Sequence, residues 1–213
     1  VAPSSSTTTK VAFDGSTRTT PVLDSSYTLN TLRFESTASS FSLSASGGSS
    51  LTFGGNVPAI IQLSANAQTI NLPLSLGGST IVETTGAGTL TLSGAISGSG
   101  GINKLGANTL ALAGANTYSG ATTANEGTII LQHSSALGDT AGGTTVSSGA
   151  TLQLENNISV GAEALSLSGS LRNASGGNSY AGAISGAGTV TVDGGSLALT
   201  GTSANTYTGA TTV

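Results

Sequence analysis

Few side chains in this sequence are equipped for acid–base or nucleophilic chemistry. One histidine (His133), nine carboxylates (Asp14, Asp24, Glu35, Glu83, Glu126, Asp139, Glu155, Glu163 and Asp193) and five basic residues (Lys10, Arg18, Arg33, Lys104 and Arg172) are scattered over 213 positions. Catalysis by such groups requires them to converge. Only Glu155 and Glu163, with Arg172 beyond them, are spaced so that one coil of chain brings them loosely together. The sequence therefore predicts no catalytic residue and no enzyme, with His133 at a surface corner. Cysteine is absent, so there is neither a disulfide framework nor a thiolate metal site. Asp193-Gly194-Gly195 and Gly138-Asp139 stand alone, whereas a calcium-binding solenoid repeats such units. Gly98-Ser99-Gly100-Gly101 leads into no lysine and no helix, unlike a phosphate loop. Asn157-Ile158-Ser159 and Asn173-Ala174-Ser175 fit glycosylation sequons, as chance provides in a chain so rich in Asn and Ser. No metal and no cofactor is expected.

What does recur is a triplet of a different kind. Asn116, Tyr118 and Gly120 return as Asn178, Tyr180 and Gly182, and again as Asn205, Tyr207 and Gly209. Tyrosine at such a position has two uses. It packs its ring in a corner and hydrogen-bonds its hydroxyl to a neighbouring coil, or it stays exposed and stacks on sugars. The triplet comes back as part of the chain's own repeating text, which favours the first use. These nine residues are the predicted structural corner positions.

The elements that carry them are short strands. From Gly88 to Leu131 the chain holds three apolar-alternating segments, Thr89 to Leu92, Thr109 to Leu112 and Thr128 to Leu131. They begin at a regular interval of about 20 residues. The pattern returns downstream. Ala183 to Gly186 repeats Ala95 to Gly98, Ser196 to Leu199 repeats Thr109 to Leu112, and Asn205 to Thr212 repeats Asn116 to Thr123, at offsets of 88, 87 and 89 in the numbering. Self-similarity at a period of about 20 residues marks a solenoid, in which each coil buries its apolar face only against its neighbours. The predicted fold is all-β, a parallel β-helix (β-solenoid) with coils of that length. Leu90, Leu110 and Ile129 are expected in one inward ladder, and Leu92, Leu112 and Leu131 in the next. Two tandem β-sandwich domains would also fit the long repeat, but they give no reason for the nested shorter period. Residues 1–9 read as a linker or processed end. Residues 10–56, which hold all four phenylalanines, read as an N-terminal cap or irregular first coils. Residues 57–213 form the solenoid, regular from 86. The text stops inside its own motif at Val213, so the array is expected to continue beyond it, in the same chain or in a stacked neighbour.

Composition narrows the role. Only 7% of residues are charged and 32 are glycine, yet hydrophobic residues reach 37%. Alternating Leu, Ile and Val supply the apolar surface that disordered chains lack. A net charge of −4 with scattered basic residues argues against nucleic acid. No apolar run long enough for a helical membrane span is present, so none is expected.

The stretch from Gly106 to Thr123, followed by Glu126 to Leu131, resembles the autotransporter-associated β-strand repeat. That pattern runs G-x-x-T-L-x-L-x-G-x-N-T-Y-x-G-x-T-x and then x-x-G-T-L; Ser196 to Val213 is similar to a truncated second copy. The resemblance implies a right-handed parallel β-helix in large bacterial surface or secreted proteins. The reading that follows is a structural, extracellular β-solenoid, a stalk or adhesin-type segment at the cell surface. The alternatives are a subunit of a filament associating end to end, and a module that binds or acts on carbohydrate. A host-surface or polysaccharide ligand is the partner expected for an adhesin.

Overall fold

The computed structural model describes residues 4–213. Alternation of apolar and polar residues puts every second side chain on one face of a strand, and short turns bring each strand back one coil later. Among the described residues there is no helix, and the strands form sheets in which partners are parallel. One sheet has nine strands, from Lys10–Phe13 to Ile184–Ser185; a second has ten, from Val22–Leu23 to Thr211–Thr212. A third side is built from two shorter sheets, four strands from Tyr27–Leu29 to Ile96–Ser97 and three from Ser159–Val160 to Ser196–Leu199. The chain visits the three sides in turn, so the molecule is a three-sided parallel β-solenoid. Sandwich domains require antiparallel pairing, which overturns that alternative. On the first side, each strand pairs with the strand one coil later, and the coil from Thr31 to Ala59 is the longest.

The inward ladders form as the alternation predicts. Leu90 pairs with Leu110 and Leu110 with Ile129, while Leu92, Leu112 and Leu131 stack beside them. All six side chains are buried. Two consecutive coils cross the third side without a strand, over 113–121 and 132–143. Coil-to-coil bonding continues there: Thr117 N donates to Ile96 O at 2.8 Å, and Asp139 N to Tyr118 O at 2.9 Å. Ser134 to Leu137 form a turn.

The first coils hold a cluster of rings, with Phe13 5.4 Å from Phe34 and 5.2 Å from Phe41. Beside it an apolar cavity of about 250 Å³ opens among Val11, Phe13, Val22, Leu23, Tyr27 and Leu51. Of the expected linker 1–9, residues 1–3 lie outside the described residues. Ser6 N donates to Thr28 O, Thr28 N to Ser5 Oγ and Asn30 N to Thr9 O. Residues 5–9 therefore run along the third side of the first coil.

The long repeat does not return to the same side. Ile96–Ser97 belongs to the third side, but its counterpart Ile184–Ser185 belongs to the first. Ile102–Leu105 lies on the first side and its counterpart Thr189–Val192 on the second; Thr109–Leu112 lies on the second and Ser196–Leu199 on the third. The long unit therefore spans four coils and one further side. The two copies are displaced by a third of a turn about the axis.

Candidate functional site

Among the described residues, the apolar interior is interrupted by the recurring corner motif, by a lysine inside the core and by a buried carboxyl.

In the corner motif the asparagine does the same thing in each copy. Asn116 Oδ1 accepts from Ile96 N at 2.9 Å, Asn178 Oδ1 from Ile158 N at 2.7 Å, and Asn205 Oδ1 from Ile184 N at 2.9 Å. Each donor is the backbone of an isoleucine one coil earlier. Asn116 Nδ2 then donates to Ala136 O in the following coil at 2.7 Å, so one amide ties three coils together. A strand lacking regular ladder partners has orphan backbone groups, and a buried orphan costs about 1–3 kcal/mol. In the first copy Asn116 supplies what the missing strand on the third side does not.

The tyrosines point inward. Tyr118 and Tyr180, both on the third side, are fully buried, and Tyr207, on the first side, is half-buried. Sugar stacking on a row of exposed rings is thereby overturned. The hydroxyl also differs from expectation, because its partner lies within the motif and not in a neighbouring coil. Tyr118 OH bonds Thr122 Oγ1 at 2.6 Å, and Tyr207 OH bonds Thr211 Oγ1 at 2.8 Å. Burial raises the Tyr118 hydroxyl well above the usual phenol range, so it stays neutral. The glycines are needed for close approach, not for left-handed backbone. A Cβ on Gly120 would lie 2.4 Å from the backbone of Gly100 and Gly101, and one on Gly182 only 1.6 Å from Glu163 O.

Lys104 is the residue that sequence reasoning missed. It occupies the inward ladder of the first side between Val82 and Ala124 and is completely buried. The small Ala124 leaves room for its stem. Its Nζ donates to three carbonyls, Leu105 O at 3.1 Å, Gly106 O at 2.7 Å and Glu126 O at 3.0 Å, which uses all three ammonium protons. Glu126 Oε2 accepts from Gly106 N at 3.1 Å, closing the corner. A signal was available: Lys104 shares its parity with Ile102 in an alternating strand.

Burial lowers Lys104 to about 8, with the Glu126 charge opposing. The ordinary lysine value is 10.5, so between these values the unfolded chain binds more protons than the folded one and stability rises with pH. Lys104→Met keeps the stem and removes this titration. Urea unfolding from about pH 7.5 to about pH 11 should show wild type gaining about 2–3 kcal/mol relative to the variant. A constant difference between the two proteins over that range would refute the assignment.

On the outside, a charged network runs across the coils. Glu155 accepts from Gln132 Nε2 at 3.1 Å and Gln153 Nε2 at 2.7 Å; Arg172 donates to Gln153 Oε1 at 3.0 Å and pairs with Asp193. The structure does not bring Glu155 and Glu163 together: Glu155 lies in this outer network, while Glu163 is buried with Thr144. His133 is half-buried and its Nδ1 accepts from Ser135 N at 3.0 Å. Among the described residues no three His, Asp or Glu side chains gather as a metal site.

These features define a class of protein, a parallel β-solenoid whose coils are fastened from within by a repeated Asn-x-Tyr-x-Gly motif. The family model of the passenger-associated-transport-repeat matches the chain twice, over residues 102–131 and 192–213. These are the stretches that hold the first and third motif copies, and the resemblance read from the sequence is to this class. No curated protein and no solved structure matches the chain.

Proposed function

We propose that this chain is a structural segment of a bacterial extracellular passenger, a surface stalk that gives reach, with no catalytic role of its own. The observation that carries this reading is where the repeated motif spends its chemistry. Its asparagine and glycine are turned to coil-to-coil contacts, and its tyrosine is turned to the interior, fully buried in two copies of three. A recognition motif would present these groups to solvent. The passenger repeat supports export to the cell surface or beyond. About ten coils at ~4.8 Å give a rod of roughly 45–50 Å.

Length is the property to test. Deleting residues 96–183 removes one long repeat unit and joins Ala95 to Ile184, so that each following strand takes the place of its counterpart. The shortened chain should fold, resist proteinase K like the parent, and lose about 20 Å of rod length by solution scattering. An unfolded or protease-sensitive product would count against a modular stalk. Displayed on a cell, the shortened stalk should bring its tip closer to the surface. Binding of the isolated segment to a host-surface polysaccharide would instead support an adhesin.

A further inference from the structure

The outer face of the first side changes character along the rod. Side chains alternate in and out along a strand, so the residues paired with exposed Arg33 form an outward row. That row runs Ala12, Arg33, Ile61, Glu83 and Leu105 over five successive coils. The row beside it runs Lys10, Thr31, Ala59, Ile81 and Asn103 in the same coils. Further along, this second row carries only Thr123, Thr145, Ser166 and Ser185. The aliphatics of the face are therefore gathered in one place. Ile61, Leu63, Ile81 and Leu105 are half-buried between their neighbours and point away from the core. Leu63 keeps the parity of Ile61, and its N–H donates to Phe34 O at 3.0 Å in the coil before. A contiguous apolar patch on an outer surface marks a contact site.

Charge on the patch is arranged about Ile61. Arg33 lies one coil before it and Glu83 one coil after it in the same row. Arg33 pairs with Glu35 at 3.0 Å, and both remain partly exposed. Among the described residues Glu83 belongs to neither ion pair.

We propose that this face binds a second copy of the chain, face to face, about a two-fold axis running along the Ala59–Gln62 strand. Such an axis sets the two rods antiparallel, so a residue one coil before Ile61 meets the residue one coil after it in the second copy. Arg33 then faces Glu83 of the second copy, and symmetry makes this pair twice. Ala59, Ile61 and Leu63 each meet their own counterpart on the axis. Two coils out, Leu105 meets Ala12 and Asn103 meets Lys10. The aliphatics are covered, and Glu83 gains a cation. Parallel packing in register would instead set Arg33 against Arg33 and Glu83 against Glu83, and like charges opposed across an interface are unfavourable.

Sedimentation of the full chain from about 1 to about 100 µM tests this. Wild type should pass from monomer to dimer within that range. Arg33→Glu and Glu83→Arg each oppose like charges twice across the axis, and each should weaken the dimer by about tenfold or more. The two changes together exchange the partners and should restore it. A wild-type chain still monomeric at about 100 µM overturns the proposal. Association unchanged in both single variants, or a double variant no better than the singles, overturns it as well. Cross-linking reads the direction of the rods, because the chain has no cysteine of its own. Ile61→Cys lies on the axis and should form a disulfide between copies under mild oxidation. Asn103→Cys lies two coils off the axis, about 19 Å from its own counterpart, and should not. Disulfide formation by Asn103→Cys in preference to Ile61→Cys would show parallel rods and overturn the antiparallel pair.

Discussion

Gly182→Ala is expected to cost about 3–5 kcal/mol of unfolding free energy, at the extreme of what a single methyl group does. The added Cβ would sit 1.6 Å from Glu163 O and 2.4 Å from its carbonyl carbon. Those are backbone atoms and cannot swing aside like the end of a side chain. Relief requires the two coils to separate, which stretches the coil-to-coil hydrogen bonds on both sides of the turn, including Ala181 N to Val160 O and Leu165 N to Ala183 O. Gly78→Ala is the control. Gly78 has nothing within 4 Å of an added Cβ and no left-handed φ, so alanine there should be neutral or gain up to about 0.5–1 kcal/mol through the unfolded chain. Urea midpoints of the two variants decide the matter. If Gly182→Ala unfolds within about 1 kcal/mol of wild type, the coils are more compliant than this contact implies.

Asn116→Ala should cost about 2–4 kcal/mol. The loss is not the side chain's own packing. Ile96 N and Ala136 O both remain buried after their partner is removed, and burial without a partner carries the full desolvation penalty. Asn116→Asp separates the two bonds. Its carboxylate still accepts from Ile96 N but turns an oxygen toward Ala136 O. At neutral pH it should be at least as damaging as alanine, and it should recover in acid, where the protonated oxygen can donate. Asn205→Ala makes a useful comparison. Asn205 is exposed and its side chain makes the isoleucine contact without a bridge to a further coil, so its loss should stay below about 1 kcal/mol. Urea unfolding of all three variants measures the differences. Equal effects at 116 and 205 would show that the bridge to the third coil contributes nothing.

Both effects arise from one physical circumstance. A solenoid stacks backbone on backbone at each corner, with little side-chain bulk between to absorb error. Glycine and asparagine at those corners meet distance and hydrogen-bond demands that a hydrophobic core alone does not impose.

Much of this architecture is legible in the sequence. Alternation of Leu with Thr in Thr89 to Leu92 and its successors determines which residues face inward, because side-chain direction along a strand follows from local geometry alone. The regular interval between those segments determines that they stack, and the ladders from Leu90 to Ile129 and from Leu92 to Leu131 form in that register. The Asn-x-Tyr-x-Gly triplet is recognisable as a unit because its residues are close together in the chain. Lys104 is open to the same parity argument; its charge, which usually marks a solvated position, hides it.

Tertiary structure alone decided the rest. Whether the long repeat returns to the same side depends on how much chain each coil uses, and that length varies from turn to turn. A third of a turn separates the copies for that reason. The hydroxyl partners of Tyr118 and Tyr207, and the lack of one at Tyr180, depend on which way a ring enters the core. Glu163 sits in a turn between two alanines, where no alternation exists to say in or out. Its burial is set by the coils above and below, through Thr144, Tyr180 and Gly182, which lie close in space but a full coil away along the chain.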